Sequence, residues 1–288
     1  MNVENNTIED NTVKNIIDLA SRELQRVPGI VGVVLGGSRA RGTYHPASDI
    51  DIGIYYDESA GFDLKELGRI ATELDDEHRE NIITELGAWG EWVNGGGWLV
   101  VQGYHVDFIF RDIKRVEDVI ANCLAGRVTS HYHAGHPHAF LNAMYMGEIA
   151  ICRILFDPDN KIAELKSKTR PYPEALKTAI TGYFLFEASF SLMHARDNLD
   201  KDDLSYVCGH CYRVISCLNQ VLFAINEEYC INEKKAVRMI EGFKIRPDAY
   251  KERIDRIISL LSSDVDRSRE GLDILQGLVN EVENIVEE

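Results

Sequence analysis

Two aspartates, Asp49 and Asp51, stand two residues apart in Ser48-Asp49-Ile50-Asp51-Ile52-Gly53-Ile54-Tyr55, where apolar and polar residues alternate. The alternation predicts a half-buried strand, on which both carboxylates project from one face while Ile50, Ile52 and Ile54 pack from the other. Two carboxylates so placed repel each other unless a cation lies between them. A hard ion such as Mg²⁺ suits them, because it takes oxygen ligands and keeps positions open for phosphate oxygens. Ten residues upstream, Leu35-Gly36-Gly37-Ser38-Arg39-Ala40-Arg41-Gly42 reads as a glycine turn opening a short helix, with backbone N–H groups and a hydroxyl to offer a phosphate. A third acid, Asp107, alternates with Val106, Phe108 and Phe110 in a later strand pattern. If the strands are neighbours, the three acids converge, and two metal ions about 3.5–4 Å apart then hold the attacking and leaving oxygens of an in-line displacement. A phosphate cradle beside such acids is what phosphoryl or nucleotidyl transfer requires.

The elements that must position these groups follow from periodicity. Thr7 to Val27 has helical spacing; the β-branched run at 29–35 and the alternation at 48–55 predict strands. A helix is expected over 63–74, and strands over 98–102 and 105–110. From Lys114 onward only helices are expected, at about 116–125, 139–155, 173–196, 202–228, 233–243, 248–261 and 268–286. The fold class is therefore α+β: a mixed-sheet domain over 1–130 followed by a helical bundle over 131–288.

Gly-Ser, ten residues, then Asp-x-Asp on a strand, with a later strand acid, resembles the DNA polymerase β-type nucleotidyltransferase superfamily. The likeness is greatest to its small bacterial branch of aminoglycoside and lincosamide nucleotidyltransferases. It covers 33–54 closely and Asp107 well; the helical half matches in layout and a few residues. The resemblance implies Asp49 and Asp51 as ligands of Mg²⁺, with two ions expected, and Asp107 as third ligand or as the base that activates the acceptor. It implies that Gly37 and Ser38 hold the triphosphate of ATP or another NTP, with Arg41 and Ser48 as further nucleotide-binding candidates. In the segment Asn226 to Lys235, Lys234 is similar to a lysine that antibiotic adenylyltransferases bring to the triphosphate from their second domain; a solvated lysine pair is the other reading. Those enzymes also carry an arginine on the preceding helix. Here Asn219 and Gln220 hold the best-placed positions and Arg213 lies two turns earlier, a departure from that pattern.

The activity implied is transfer of a nucleoside monophosphate, AMP from ATP in the simplest form, to a hydroxyl of a small antibiotic-like acceptor, a cationic one included, releasing pyrophosphate. Transfer to a protein hydroxyl, as in toxin-neutralising relatives, is the alternative enzyme; a non-catalytic nucleotide sensor is the alternative from another class, disfavoured by retention of all three acids. Glu85, Glu91 and Glu148 are spare acids available as general base beside Asp107, and the sequence does not choose among them.

Other signals are weaker. Cys208-Gly209-His210-Cys211 spells C-x-x-C but falls in a helical pattern without a βαβ context, and reads as core packing. His131, His133, His136 and His138 cluster with no cysteine or acid at ligand spacing nearby, which points to a joining loop facing the cleft more than to zinc. Trp89, Trp92 and Trp98 flank the glycine run 95–97 and read equally as an aromatic lid or as core beside a hairpin.

Composition narrows the partners. The net charge of −16 repels a phosphate backbone, so long nucleic acid is an unfavourable partner; it favours a cationic small molecule or protein surface, with solubility the plainer reading of the excess acid. No secretion signal opens the sequence, and the longest apolar stretch, 179–193, carries Glu187, so no membrane partner is expected. Six scattered cysteines suit reduced thiols in the cytoplasm. The acceptor, the preferred NTP and the oligomeric state are not encoded in any motif.

Overall fold

The β-branched run that follows the first helix becomes an inner strand of a five-stranded sheet. The computed structural model describes residues 3–287. In chain order the elements are α1 (Val3–Leu24), β1 (Ile30–Leu35), α2 (Gly37–Arg41), β2 (Ile50–Tyr56), α3 (Leu64–Leu74), β3 (Gly96–Val101), β4 (Tyr104–Asp112) and α4 (Ile113–Leu124). There follow β5 (Ser130–His131), β6 (Phe140–Leu141), α5 (Ala143–Ile151), β7 (Arg153–Phe156), α6 (Lys161–Ser167), α7 (Glu174–Asp197), α8 (Leu204–Ile225), α9 (Ala236–Ile240), α10 (Tyr250–Leu260) and α11 (Val265–Glu287). The architecture is a mixed sheet in the N-terminal region with a helical C-terminal part, as the α+β pattern predicts.

The sheet runs β3-β4-β2-β1-β7, with β2 and β4 parallel and the other neighbours antiparallel. One face carries Val33, Leu35, Ile50, Ile52, Ile54, Val106, Phe108 and Phe110 into a core closed by Val13, Ile16 and Ile17 of α1 and Leu67, Ile70 and Ala71 of α3. Burying so many β-branched and aromatic side chains sets the register, because a slip of one residue would turn every one of them to the opposite face. The helix α3 starts where it does because the Asp63 carboxylate accepts the backbone N–H groups of Lys65 and Glu66, each at 3.0 Å.

Strands do not disappear after Lys114. The segment read as one helix over 139–155 is the short strand β6, then α5, then the strand β7, which pairs with β1 through Val34–Ile154 and Leu35–Arg153. The reason is local and tertiary at once. Lys166 Nζ donates to the carbonyls of Ala150 and Cys152, both at 2.7 Å, and to that of Ile149 at 3.3 Å, ending α5, while the edge of β1 offers Arg153–Phe156 a ladder.

The chain divides into two compact units. Unit 1 is 1–120 with 148–170, and unit 2 is 121–147 with 171–288. A single cut near residue 130 does not describe this arrangement, because the chain returns to the sheet to add β7. Unit 2 is organised by α7 and α8, with α11 packed on both and on α10. A shallow cleft of about 400 Å³, lined by residues that include Arg253, Arg256 and Asp273, lies in unit 2 and holds none of the candidate residues. Among the described residues, no helix is long and apolar enough to cross a membrane.

Candidate active site

The acids come together on the sheet face opposite the core. In the parallel β2–β4 ladder Asp51 is the register partner of Asp107, and Asp49 ends the loop that enters β2. The sequence alternation places Asp51 and Asp107 between buried apolar neighbours: Ile50, Ile52, Val106 and Phe108 are fully buried, whereas Asp51 and Asp107 are half-buried; Asp49, between Ser48 and Ile50, is exposed. Burial, and then the charges of Asp107 and Asp49, push the Asp51 carboxyl up to about 6, partly countered by the Arg39 guanidinium. Asp107 is also raised, by burial and by Asp49. Both shifts come from desolvation plus like charge, the condition that a bound cation relieves.

The glycine turn is built against the same carboxylate. The Gly36 N–H donates to the Asp51 backbone carbonyl at 2.8 Å, which joins the end of β1 to β2. Gly37 has φ +58°, and a Cβ there would overlap Asp51 Oδ2. Only glycine allows both the left-handed backbone and the close approach. Ser38 is the next residue, in the five-residue helix α2, and Arg41 lies in its last turn.

Arg39, which the motif alone did not single out, organises the loop before β2. Its guanidinium donates to the carbonyls of Pro46 (3.2 Å), Ser48 (2.6 Å from Nη2) and Asp49 (3.1 Å), and packs over the Tyr44 ring at 5.1 Å. Ser48 is engaged in that loop: its Oγ accepts the His45 N–H at 3.0 Å. Nothing in the sequence separates Arg39 from Arg41; only the folded loop shows which of the two reaches the carbonyls of Pro46, Ser48 and Asp49.

The spare acids separate by environment. Glu148 is gripped by Arg111, with Nε and Nη2 at 2.8 and 2.7 Å from its two oxygens, and that arginine is only 4% exposed. The pairing keeps a buried guanidinium from being left unpaired, which would cost about 3–5 kcal/mol, and the Glu148 charge also adds a small upward push on Asp51. Glu91 pairs with Arg115 at 3.0 Å. The tryptophans also divide. Trp92 is buried with the Arg115 guanidinium 4.5 Å from its ring centroid, whereas Trp98 is 62% exposed, stacked on Trp89 at 4.7 Å, and opposite Asp107 in the β3–β4 ladder. One is core and the other is an aromatic plate beside the acids. The loop between them is pinned by Asn94, which accepts the Gly87 N–H and donates to the Tyr56 hydroxyl at 2.7 Å.

In unit 2, Lys234 precedes α9, its N–H donating to Asn232 Oδ1 at 2.7 Å. The helix expected over 233–243 is only α9, Ala236–Ile240, because Lys235 takes a left-handed conformation (φ +67°) that a helix cannot contain. Lys234 and Lys235 therefore do not share a helical turn. Asn219 accepts the Tyr250 hydroxyl at 2.9 Å in the core, and Arg213 pairs with Glu187. Cys208 and Cys211 lie in α8, and burial raises both thiols, Cys211 to about 12. A thiol so raised is a poor nucleophile, in keeping with core packing.

Residues 16–127 match the nucleotidyltransferase domain family, a span that contains the glycine turn, the Asp-x-Asp pair and Asp107. No curated protein matches the chain. Solved structures with similarity include a nucleotidyltransferase-like protein from Exiguobacterium sibiricum, at 12% identity and a TM-score of 0.42, covering 90% of this chain and 73% of that one. That likeness is too distant to bear on the site.

Proposed function

We propose that the nucleotidyltransferase domain in residues 16–127 transfers a nucleoside monophosphate, AMP from ATP in the simplest case, to a hydroxyl of a small cationic acceptor. The observation that carries this reading is the pairing of Asp51 with Asp107 across parallel strands, with Asp49 beside them and Gly37 pressed against Asp51. The donor set fits magnesium: all three are carboxylates, and two of them, Asp51 and Asp107, have their charged forms disfavoured by burial and by neighbouring carboxylates. Asp49, Asp51 and Asp107 would hold the metal, two ions in the two-metal form, which supplies neutralisation of the triphosphate charge and polarisation of the reacting oxygens.

The chain's own residues do the rest. Ser38 and the backbone of the Gly37 turn bind the triphosphate, and Arg39 keeps the loop at 46–49 in place so that Asp49 enters on the same face as Asp51. Trp98 gives a flat surface for the base or an acceptor ring. The acceptor hydroxyl loses its proton to a carboxylate, with Asp107 the candidate on β4, as its oxygen attacks the α-phosphorus and the bond to pyrophosphate breaks. The net charge of −16 supports a cationic acceptor by steering it.

Pyrophosphate release, measured with each NTP and a panel of hydroxylated aminoglycosides, lincosamides and neutral sugars in Mg²⁺, tests the reading. Acceptor-dependent release that Asp51→Asn and Asp107→Asn abolish is the expected result. Tight NTP binding without release across the panel would mean a sensor instead.

A further inference from the structure

The histidine cluster at 131–138 has no cysteine or acid near it in sequence; folding of unit 2 supplies both. His138 precedes β6, Glu187 lies mid-way along α7, and Cys217 lies on α8. One ligand atom from each comes within 4.8 Å of the other two. The trio is withdrawn from water, with the His138 side chain 7% exposed, that of Glu187 11%, and Cys217 0%. His138 Nε2 and Glu187 Oε1 are 3.5 Å apart. That is long for a hydrogen bond, but close to the edge, about 3.3 Å, of a tetrahedron whose nitrogen and oxygen corners lie about 2.0–2.1 Å from a zinc ion.

The surroundings are those of a supported ligand set. Arg213, one turn before Cys217 on α8, donates through Nε to Glu187 Oε1, the oxygen that faces His138 Nε2, and so fixes the carboxylate between the two. The His138 backbone N–H donates to both oxygens of Glu233, each at 3.1 Å, which fixes the main chain that presents the imidazole. Partners of this kind orient ligating groups. A thiolate and a carboxylate neutralise a divalent ion with the imidazole neutral; loading replaces one thiol proton by the ion, a change of one positive charge, and the Arg213 side chain, 51% exposed, keeps its own charge toward solvent. Sulfur with imidazole selects zinc-class ions over magnesium.

We propose that unit 2 carries a second metal site, for one zinc-class ion held by His138 Nε2, Glu187 and Cys217 Sγ, with the fourth position open to water. On loading, the Cys217 S–H bond breaks, the sulfur–metal bond forms and the proton leaves to solvent; nothing is oxidised or reduced.

The test uses the full chain, stripped with EDTA and titrated with Co²⁺, then with Zn²⁺ in competition. The expected result is a thiolate-to-cobalt charge-transfer band, with the visible bands of tetrahedral cobalt, that saturates at one Co²⁺ and is displaced by Zn²⁺; cobalt taken up by the carboxylates of unit 1 gives no thiolate band. Cys217→Ser should remove the charge-transfer band. His138→Ala, outside the helices, should weaken binding more than about 100-fold, and Arg213→Ala about 10- to 100-fold. Folding of each variant is checked by circular dichroism. If Cys217→Ser does not fold, His138→Ala decides, and affinity within a few-fold of wild type overturns the site. A wild-type titration without the thiolate band also overturns it, as does a band that survives Cys217→Ser or is lost in folded Cys208→Ala. The readout is spectroscopic and independent of nucleotide transfer.

Discussion

At the scale of the residue, Asp51 is the most informative position. Its folded carboxyl titrates near 6 against an ordinary 3.8, so the folded chain binds more protons than the unfolded chain between those values. Keeping it charged therefore costs stability above its folded value, and the cost fades as pH falls toward the unfolded value. In EDTA, Asp51→Asn should raise stability by about 1–3 kcal/mol at about pH 8, with the gain falling by more than half at about pH 4.5, while transfer is abolished. Urea unfolding at the two pH values checks the first part; an equal gain at both would show that repulsion is not the cause. Gly37 sits against the same carboxylate. Gly37→Ala should lower stability by about 1–2 kcal/mol from the left-handed backbone alone. It should also reduce turnover far more than that loss implies, because the added methyl displaces Asp51. Activity within a few-fold of wild type would remove Gly37 from the site.

At the scale of the element, the junction between α5 and β7 shows how a few contacts override periodicity. Residues 139–155 have a pattern that suits a helix throughout, yet the chain turns at Cys152, where one lysine meets three carbonyls. Lys166→Met keeps the stem and removes the charge. It should cost about 1.5–3 kcal/mol in urea unfolding, the worth of charge-assisted hydrogen bonds at a helix end. Turnover should stay within a few-fold, since β1 separates β7 from the strand of Asp51. Unchanged stability would mean that β7 pairing alone ends the helix. The Glu148 grip on Arg111 belongs to the same scale: an acid in the second half of α5 ties that helix to the end of β4.

At the scale of the whole molecule, net charge is the property that acts at a distance. A chain of charge −16 draws cations to it and repels polyanions. For a cationic acceptor, kcat/KM should fall several-fold as salt shortens the Debye length from about 30 Å at 0.01 M to about 8 Å at 0.15 M. A neutral acceptor should show little change under the same conditions. Identical salt dependence for both would remove steering from the account and leave the excess acid as a matter of solubility.

The alternation around Asp49, Asp51 and Asp107 was enough to infer strands with acids on one face, and the spacing of Gly37 and Ser38 from them carried the resemblance that implied nucleotidyl transfer. Each depends on interactions between near neighbours, and strand periodicity reports them directly. The parallel pairing that puts Asp107 level with Asp51 is not in either segment; it arises when the core side chains of β2 and β4 pack on one face. The same holds for β7, for the service of Glu148 to Arg111, and for the meeting of His138, Glu187 and Cys217. Those partners are far apart in the chain, and the free energy that joins them comes from burial and pairing, which exist only once each unit has folded.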